Sequence, residues 1–286
     1  MNKQKKTLFP VLAGVTALIA LSAVSFSGCG VSYPAGTAAQ SVSDMCKKEY
    51  DISVKAKVYG KTLWVYLPLD QLVDANGQID EKTGDTIENA ALCVHRVLSS
   101  TDEDLDFYVL IASDIKTLGA EFTLIGHVYD IMRVRLLDIS RGEYQRRMLR
   151  DLKINPAALG DAEGHHIRLS DLDMARFLAE QFTRRIKLKF ENEKKLNQKF
   201  VYKSGKWYVQ NNTFILNLDI AEKEPSETLP LRSSKHKEPN VLDIALKELA
   251  FILRRYGFED YEKVRIANFA TNETRILTKE EMKQIR

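Results

Sequence analysis

The stretch DISVKAKVYGKTLWVYLPL, Asp51–Leu69, decides the fold class. Ile52, Val54, Ala56 and Val58 alternate with Ser53, Lys55 and Lys57. Successive side chains of a strand point to opposite faces, so this alternation reads as a half-buried strand. Tyr59-Gly60-Lys61 supplies a turn. Leu63, Val65 and Leu67 then alternate with Trp64 and Tyr66 on a returning strand, which makes the stretch a β-hairpin.

Working outward, a polar loop holding Asn76-Gly77 leads to a helix over Thr86–Leu98. Ile87, Ala90, Ala91, Val94, Val97 and Leu98 share one face of it. Asp106–Ala112 and Ala120–Ile125 form a second hairpin. The same order returns in the C-terminal half. Strands Gly205–Val209 and Thr213–Ile220 precede a long polar loop, Ala221–Pro239. A helix over Val241–Arg255, stopped by Gly257, precedes strands Lys263–Phe269 and Thr274–Thr278.

The correspondence extends to residues. A shift of 151 lays Lys55, Val58, Thr62 and Leu67 on Lys206, Val209, Thr213 and Leu218. A shift of 155 lays Ile87, Ala90, Val94, Val97 and Leu98 on Leu242, Ala245, Leu249, Ile252 and Leu253, and Val109, Ile111 and Ala112 on Val264, Ile266 and Ala267. The difference falls in the polar loop, where added length costs little. The expected fold is α+β, with two similar β-hairpin–helix–β-hairpin lobes, each an antiparallel sheet packed on a helix. Residues 46–126 and 196–286 form the lobes, and duplication is the reading adopted. The alternative is a chance alignment of two amphipathic segments.

A helical insert, 127–195, separates them. Ser140-Arg141-Gly142-Glu143 has the pattern of a capping box. It opens a helix carrying Tyr144, Met148 and Leu149. Asn155-Pro156 and the run from Gly160 to Gly164 break the chain. Ser170 is read as the cap of a second helix with Leu172, Ala175, Phe177, Leu178, Phe182 and Ile186, whose charged tail Lys187–Lys195 is expected to face solvent.

At the N-terminus Lys3, Lys5 and Lys6 precede an uncharged run, Leu8–Phe26, and then Ser27-Gly28-Cys29. A basic start, an apolar stretch and small residues before a cut describe an export signal. Phe26-Ser27-Gly28-Cys29 resembles the lipobox of bacterial lipoproteins, with Phe26 where Leu is usual. The resemblance covers residues 1–30 and implies a diacylglycerol thioether on Cys29, cleavage before it and acylation of the new amino terminus. Residues 1–28 are then a signal peptide. Residues 29–45, small and polar from Gly30 to Ser43, are a flexible tether. Gly30 rather than Asp favours the outer membrane, facing the periplasm, in a two-membrane host. From the residues alone, an uncleaved membrane-spanning anchor or cleavage without a lipid stay open.

Removing 28 of 286 residues leaves 258, enough for one large or two modest domains. Three of the 42 basic residues lie in the signal and no acidic ones do, so 39 cations face 39 acids in the remainder. That balance gives no global attraction to nucleic acid. Beyond Cys29, Cys46 and Cys93 are a candidate disulfide in an exported context, against two unpaired thiols.

The candidate chemistry is thin. Asp74–Asp80 resembles the middle of a calcium loop, but Leu72 and Thr83 stand where principal ligands belong, so an Asn-Gly surface turn fits better. His165-His166, near Asp161 and Glu163, lacks a spaced third ligand, and no metal or cofactor is expected. His95 and His127 are read as satisfied structural groups. No nucleophile elbow or phosphate-binding loop is present. Arg141, Arg146, Arg147 and Arg150 sit on or beside one helix and are candidates for anionic-surface contact, against a solvated face with local acidic partners. Trp64, Tyr66, Trp207 and Tyr208 are strand aromatics, for packing or for binding.

The sequence therefore leans against an enzyme. It points to a lipid-anchored component of the cell envelope that binds, scaffolds or assembles, with the membrane and an envelope protein as partners. The alternative is an envelope hydrolase acting on peptidoglycan, lipid or glycan, with His165, His166, Asp161 and Glu163 as its residues.

Overall fold

The computed structural model describes residues 33–223 and 240–285. The expected export signal, Cys29 and most of the loop Ala221–Pro239 lie outside the described residues. The fold is α+β. One sheet has the order β1 (Lys55–Tyr59), β2 (Thr62–Leu69), β3 (Phe107–Asp114), β4 (Ala120–His127) and β5 (Leu149–Ile154). The other has the order β6 (Phe200–Gln210), β7 (Thr213–Glu222), β8 (Lys263–Asn268) and β9 (Glu273–Thr278). The helices are α1 (Ala38–Tyr50), α2 (Glu81–Leu98), α3 (Val128–Arg135), α4 (Arg141–Arg147), α5 (Met174–Asn192), α6 (Lys194–Lys199), α7 (Val241–Tyr256) and α8 (Lys279–Gln284).

The two lobes share register as well as order. Tyr59 pairs with Thr62 and Lys55 with Tyr66 in the first lobe; Gln210 pairs with Thr213 and Lys206 with Asn217 in the second, each 151 residues on. Both sheets are mixed rather than purely antiparallel. The hairpins are antiparallel, but β2–β3 and β7–β8 are parallel, because a helix carries the chain back to the same end of the sheet. The helix alignment matches burial: Ile87, Ala90, Val94, Val97 and Leu98 are buried, as are Leu242, Ala245, Leu249, Ile252 and Leu253. The β3–β8 alignment is one residue out. Val65 pairs with Leu110 and Leu216 with Ile266, so Tyr108 and Leu110, not Val109 and Ile111, match Val264 and Ile266. A one-residue slip exchanges the faces of a strand, and β3 is apolar on both, so its pattern could not reveal the slip.

Caps mark the long helices. The Asp80 carboxylate accepts from the Thr83 amide and starts α2 well before Thr86. Asn240 accepts from the Leu242 and Asp243 amides at the start of α7, and Gly257, with φ +59°, ends it. The Asp74 side chain accepts from the amides of Asn76 and Gln78, which makes the calcium-like loop an Asx turn.

Two boundaries differ from expectation. The tether assigned to 29–45 is helical from Ala38, and Ala38, Val42, Met45 and Cys46 are buried against the first core. Its residues are small, so their helical spacing is weak as a hydrophobic signal. The insert assigned to 127–195 is not a separate body. The helix opened at Ser140 ends at Arg147, and Leu149–Ile154 joins the first sheet as a fifth strand. Its second helix is capped by Asp173 rather than Ser170. Phe177, Leu178, Phe182, Ile186 and Phe190 of α5 lie in the second core, and the charged tail Lys187–Lys195 faces solvent as expected apart from buried Phe190 and half-buried Lys189.

Candidate functional site

The lobes meet around Arg147. Its side chain is 4% exposed. Nε donates to Glu143 at 2.8 Å and Nη1 to Asp130 at 2.6 Å. The guanidinium also lies 4.9 Å from the centroid of the Tyr256 ring. The Tyr256 hydroxyl donates to Asp130 at 3.0 Å and accepts from Gln181 Nε2 at 2.7 Å. Gln181 also donates to the Arg147 carbonyl, and Arg255 pairs with Glu143. Residues of α3, α4, α5 and α7 are thus tied into one buried network. Burial opposes the charge on Arg147, but the Glu143 hydrogen bond and the Asp130 charge outweigh it and raise its pKa. Glu143 is held below the ordinary range, its burial overcome by Arg147, Arg255 and Arg146. Ser140 caps α4 at the Glu143 amide, but the Glu143 side chain turns to the arginines, so the capping box is not closed.

Arg147 is therefore withdrawn from the proposed anionic-surface contact. A side chain with two buried carboxylate partners has no charge to offer a ligand. The other three arginines do face outward. Arg141 is exposed, Arg146 is 65% exposed while touching Glu143 at 3.2 Å, and Arg150 is exposed on β5. Arg146 and Arg150 open onto a 420 Å³ cleft between β5 and α5. Arg184, Arg185 and Lys189 of α5 line its other wall, and Glu248 of α7 is its one carboxylate. Sequence reading missed these three cations, because 34 residues separate Arg184 from Arg150. The signal available was the run of basic residues along one side of α5.

The histidine loop has another role. His166 is buried, with Nδ1 2.6 Å from Asp161 and Nε2 2.8 Å from Glu121. Neither ring nitrogen is left for a substrate. Asp161 accepts amide hydrogen bonds from Glu163, Gly164 and His166. Against its burial, those amides and the His166 ring hold its carboxyl well below the usual range. Glu121, buried, is likewise held down by Asn155 and His166. Glu163 is spent on Lys55 at 2.7 Å. His165 is exposed, 3.3 Å from Asp161. Together these groups clamp the loop 155–173 across the outer face of the first sheet. The arrangement that the hydrolase reading required is a fastening.

The remaining candidates divide. Trp64 donates from Nε1 to the Ser170 carbonyl at 3.0 Å, and the Tyr66 hydroxyl donates to the Asp161 carbonyl at 2.6 Å. Both pack beneath the loop. Trp207 and Tyr208 instead line a 450 Å³ groove with Leu172, Arg176 and Phe177. His95 is satisfied, its Nε2 2.9 Å from the hydroxyls of both Tyr108 and Tyr144, and burial pushes its pKa down to about 4. His127 departs from the expectation: the residue is half-buried among Phe107, Phe177 and Tyr256, and its buried Nδ1 has no hydrogen-bond partner. Cys46 and Cys93 are free thiols, both buried in the first core where α1 and α2 pack together. Burial and the Cys93 neighbour push the Cys46 pKa upward. Among the described residues no group of three or more His, Cys, Asp or Glu side chains could hold a metal ion.

Comparisons with protein-family models, curated proteins and solved structures gave no match.

Proposed function

We propose that the protein is an exported, lipid-anchored component of the cell envelope that works by binding rather than catalysis, with the lobe junction as its docking site. One observation supports this most: the outward-facing cations of the cleft stand on a buried, ion-paired seat that joins both lobes. A binding site is most selective when rigid neighbours hold its groups in place. The histidine loop, the residue set of the hydrolase alternative, has its functional groups occupied internally. The lipid on Cys29 holds the protein at a membrane, and a protein of the envelope is the partner.

Export would also place the protein where disulfides persist. The adjacent Cys46 and Cys93 thiols are then the pair that oxidises, passing two protons and two electrons to a thiol-oxidising disulfide catalyst of that compartment. The bond would staple α1 to α2.

The test is made in intact cells. A photo-crosslinking amino acid replaces Gln145, at the cleft rim, in the full chain with and without Cys29→Ser. The expected result is one envelope protein captured at the rim, less of it with Cys29→Ser, and membrane-fraction recovery lost in that variant. Capture that persists when the crosslinker is moved to the remote Gln71 would remove the junction from the proposal. Membrane attachment retained in Cys29→Ser would replace the lipid by a spanning anchor. Intact mass after thiol alkylation reads the cysteines, and two alkylated thiols in exported protein would exclude the staple.

A further inference from the structure

We infer that the cleft bounded by Arg146, Arg150 and Arg184 is a binding site for a phosphate group, whether carried by a lipid headgroup or by a soluble phosphorylated molecule; this deepens the docking role proposed for the junction.

The argument is one of charge that the protein leaves uncompensated. Five cationic side chains and one carboxylate line the cleft. Glu248 is taken by Arg185, at 3.3 Å, and by Lys189, at 2.7 Å. Glu143 lies behind the cleft and is shared by Arg146, Arg147 and Arg255. Neither Arg150 nor Arg184 makes a close ion pair among the described residues; Asp151, next along β5, acts on Arg184 only at longer range, and burial with the Arg150 charge outweighs it. Arg184 donates only to the Arg150 carbonyl, which draws the two residues together instead of separating them. Two like charges brought together on a half-buried wall repel, and burial with the Arg150 charge lowers the pKa of Arg184. Such crowding lowers stability unless an anion joins it.

Phosphate fits this demand. Guanidinium groups present forked donors that match its oxygens, and charge-assisted hydrogen bonds to it are among the stronger ones available. Two unpartnered guanidiniums equal the charge of a phosphomonoester, and Arg146 stands beside them. Leu149 and Leu188 complete the wall, so the cleft also offers apolar surface to the body that carries the phosphate.

The experiment uses the full chain in non-ionic detergent with inorganic pyrophosphate as probe, followed by calorimetry. A second arm mixes the protein with vesicles of phosphatidylglycerol or of phosphatidylcholine. Three variants are compared: Arg150→Gln, Arg184→Gln and, as an exposed cation outside the cleft, Arg141→Gln. Saturable pyrophosphate binding is expected, weakened about tenfold or more by Arg150→Gln and by Arg184→Gln, unchanged by Arg141→Gln and weakened by salt. Binding confined to phosphatidylglycerol vesicles, with the same variant pattern, would identify a lipid headgroup as the source. Arg184 also holds the Arg150 backbone, so Arg150→Gln, on an exposed side chain, decides the matter if Arg184→Gln fails to fold. No binding in either arm, or binding that all three variants leave unchanged, overturns the site. A protein still crosslinked at Gln145 would then leave the docking role standing without a phosphate.

Discussion

The two lobes have the same strand register and the same helix crossover, yet among the described residues a loop layer covers the outer face only in the first. On the outer face of the first sheet, Trp64, Tyr66, Val109 and Ile111 lie under the loop 155–173 with Ile167 and Leu172. The matching positions of the second sheet are Ile215, Asn217, Arg265 and Ala267; Ile215 and Ala267 are buried, but Asn217 is half-buried and Arg265 exposed, and among the described residues the second lobe has no counterpart of the 155–173 loop. A strand buried on both faces must be apolar throughout, whereas one buried on a single face alternates. FYVLIAS, residues 107–113, and KVRIAN, residues 263–268, differ in this way. The lesson is that a shared backbone plan fixes where the helix packs, while the outer-face residues settle whether a further layer is recruited. The hairpin tips agree. Gly60, with φ +56°, leaves room for Asp171, whose carboxylate accepts from the Lys61 amide at 2.9 Å and the Thr62 hydroxyl at 3.1 Å. Its counterpart in the second lobe is Asn211, also at positive φ, in a tip without such a pin.

The largest expected effect falls where the lobes are joined. Arg147→Ala strips buried Asp130 of its nearest cation, leaving Arg133 at 3.8 Å, and removes one of the three arginines on Glu143; it should lower the unfolding free energy by about 3 kcal/mol. Urea denaturation measures it, and Arg146→Ala, on an exposed side chain, should change it by less than about 1 kcal/mol. Equal effects from the two would show that the junction is not the seat described.

Next comes the covered face. Tyr66→Ala removes a buried ring and its hydrogen bond and should cost about 3 kcal/mol, whereas Asn217→Ala, at its half-buried counterpart in the second lobe, should cost under about 1 kcal/mol. Thermal unfolding of the pair gives the difference directly. Similar losses at both positions would mean that the second sheet is covered as well.

Acid should act through the first lobe. His95 lies opposite Ala250 in the helix alignment, so the second lobe has no equivalent group. Folding lowers its pKa from 6.5 to about 4, so the unfolded chain takes the proton first. Its contribution is fully present above pH 6.5 and is lost as pH falls toward 4, for a total of about 3 kcal/mol. Denaturant midpoints of wild type should fall between pH 6.5 and 5, before Glu121 and Asp161 begin to matter. In His95→Phe that slope should flatten, and an unchanged slope would place the titration elsewhere.

The smallest effect concerns the hairpin tips. Gly60→Asn copies the second lobe's turn into the first, and its Cβ would stand 2.3 Å from the Asp171 carboxyl carbon. Losing the Asp171 hydrogen bonds should cost about 1–2 kcal/mol. Asn211→Gly should cost under about 1 kcal/mol. Limited proteolysis of the 155–173 loop, faster only in Gly60→Asn, would tie the effect to the pin.

Much of the plan was readable in the chain. Alternation at Ile52–Val58 and Leu63–Leu67 marks strands, and the apolar stripe from Ile87 to Leu98 marks the helix, because each period follows from local backbone geometry. The repeat at 151 residues was legible for the same reason. The tether was misread because Ala38, Val42 and Cys46 carry little hydrophobic signal until α2 is beside them. Leu149–Ile154 was misread because an edge strand exposed on most of its length has no apolar alternation to show. Of the candidate site, Arg146 and Arg150 were visible as an arginine cluster. Their separation from Arg147 was not, because it depends on Asp130 and Tyr256, which are distant in sequence.

The sequence by itself determined the α+β class and the two hairpin–helix–hairpin units, since these rest on residues within a turn or two of one another. Only the tertiary structure decided that His166 fastens a loop, that Arg147 is buried while Arg150 and Arg184 share a cleft, and that Cys46 meets Cys93. Each of those outcomes depends on charge, burial or contact between groups far apart in the chain. Such energies exist only once the lobes have brought the groups together and taken water from between them.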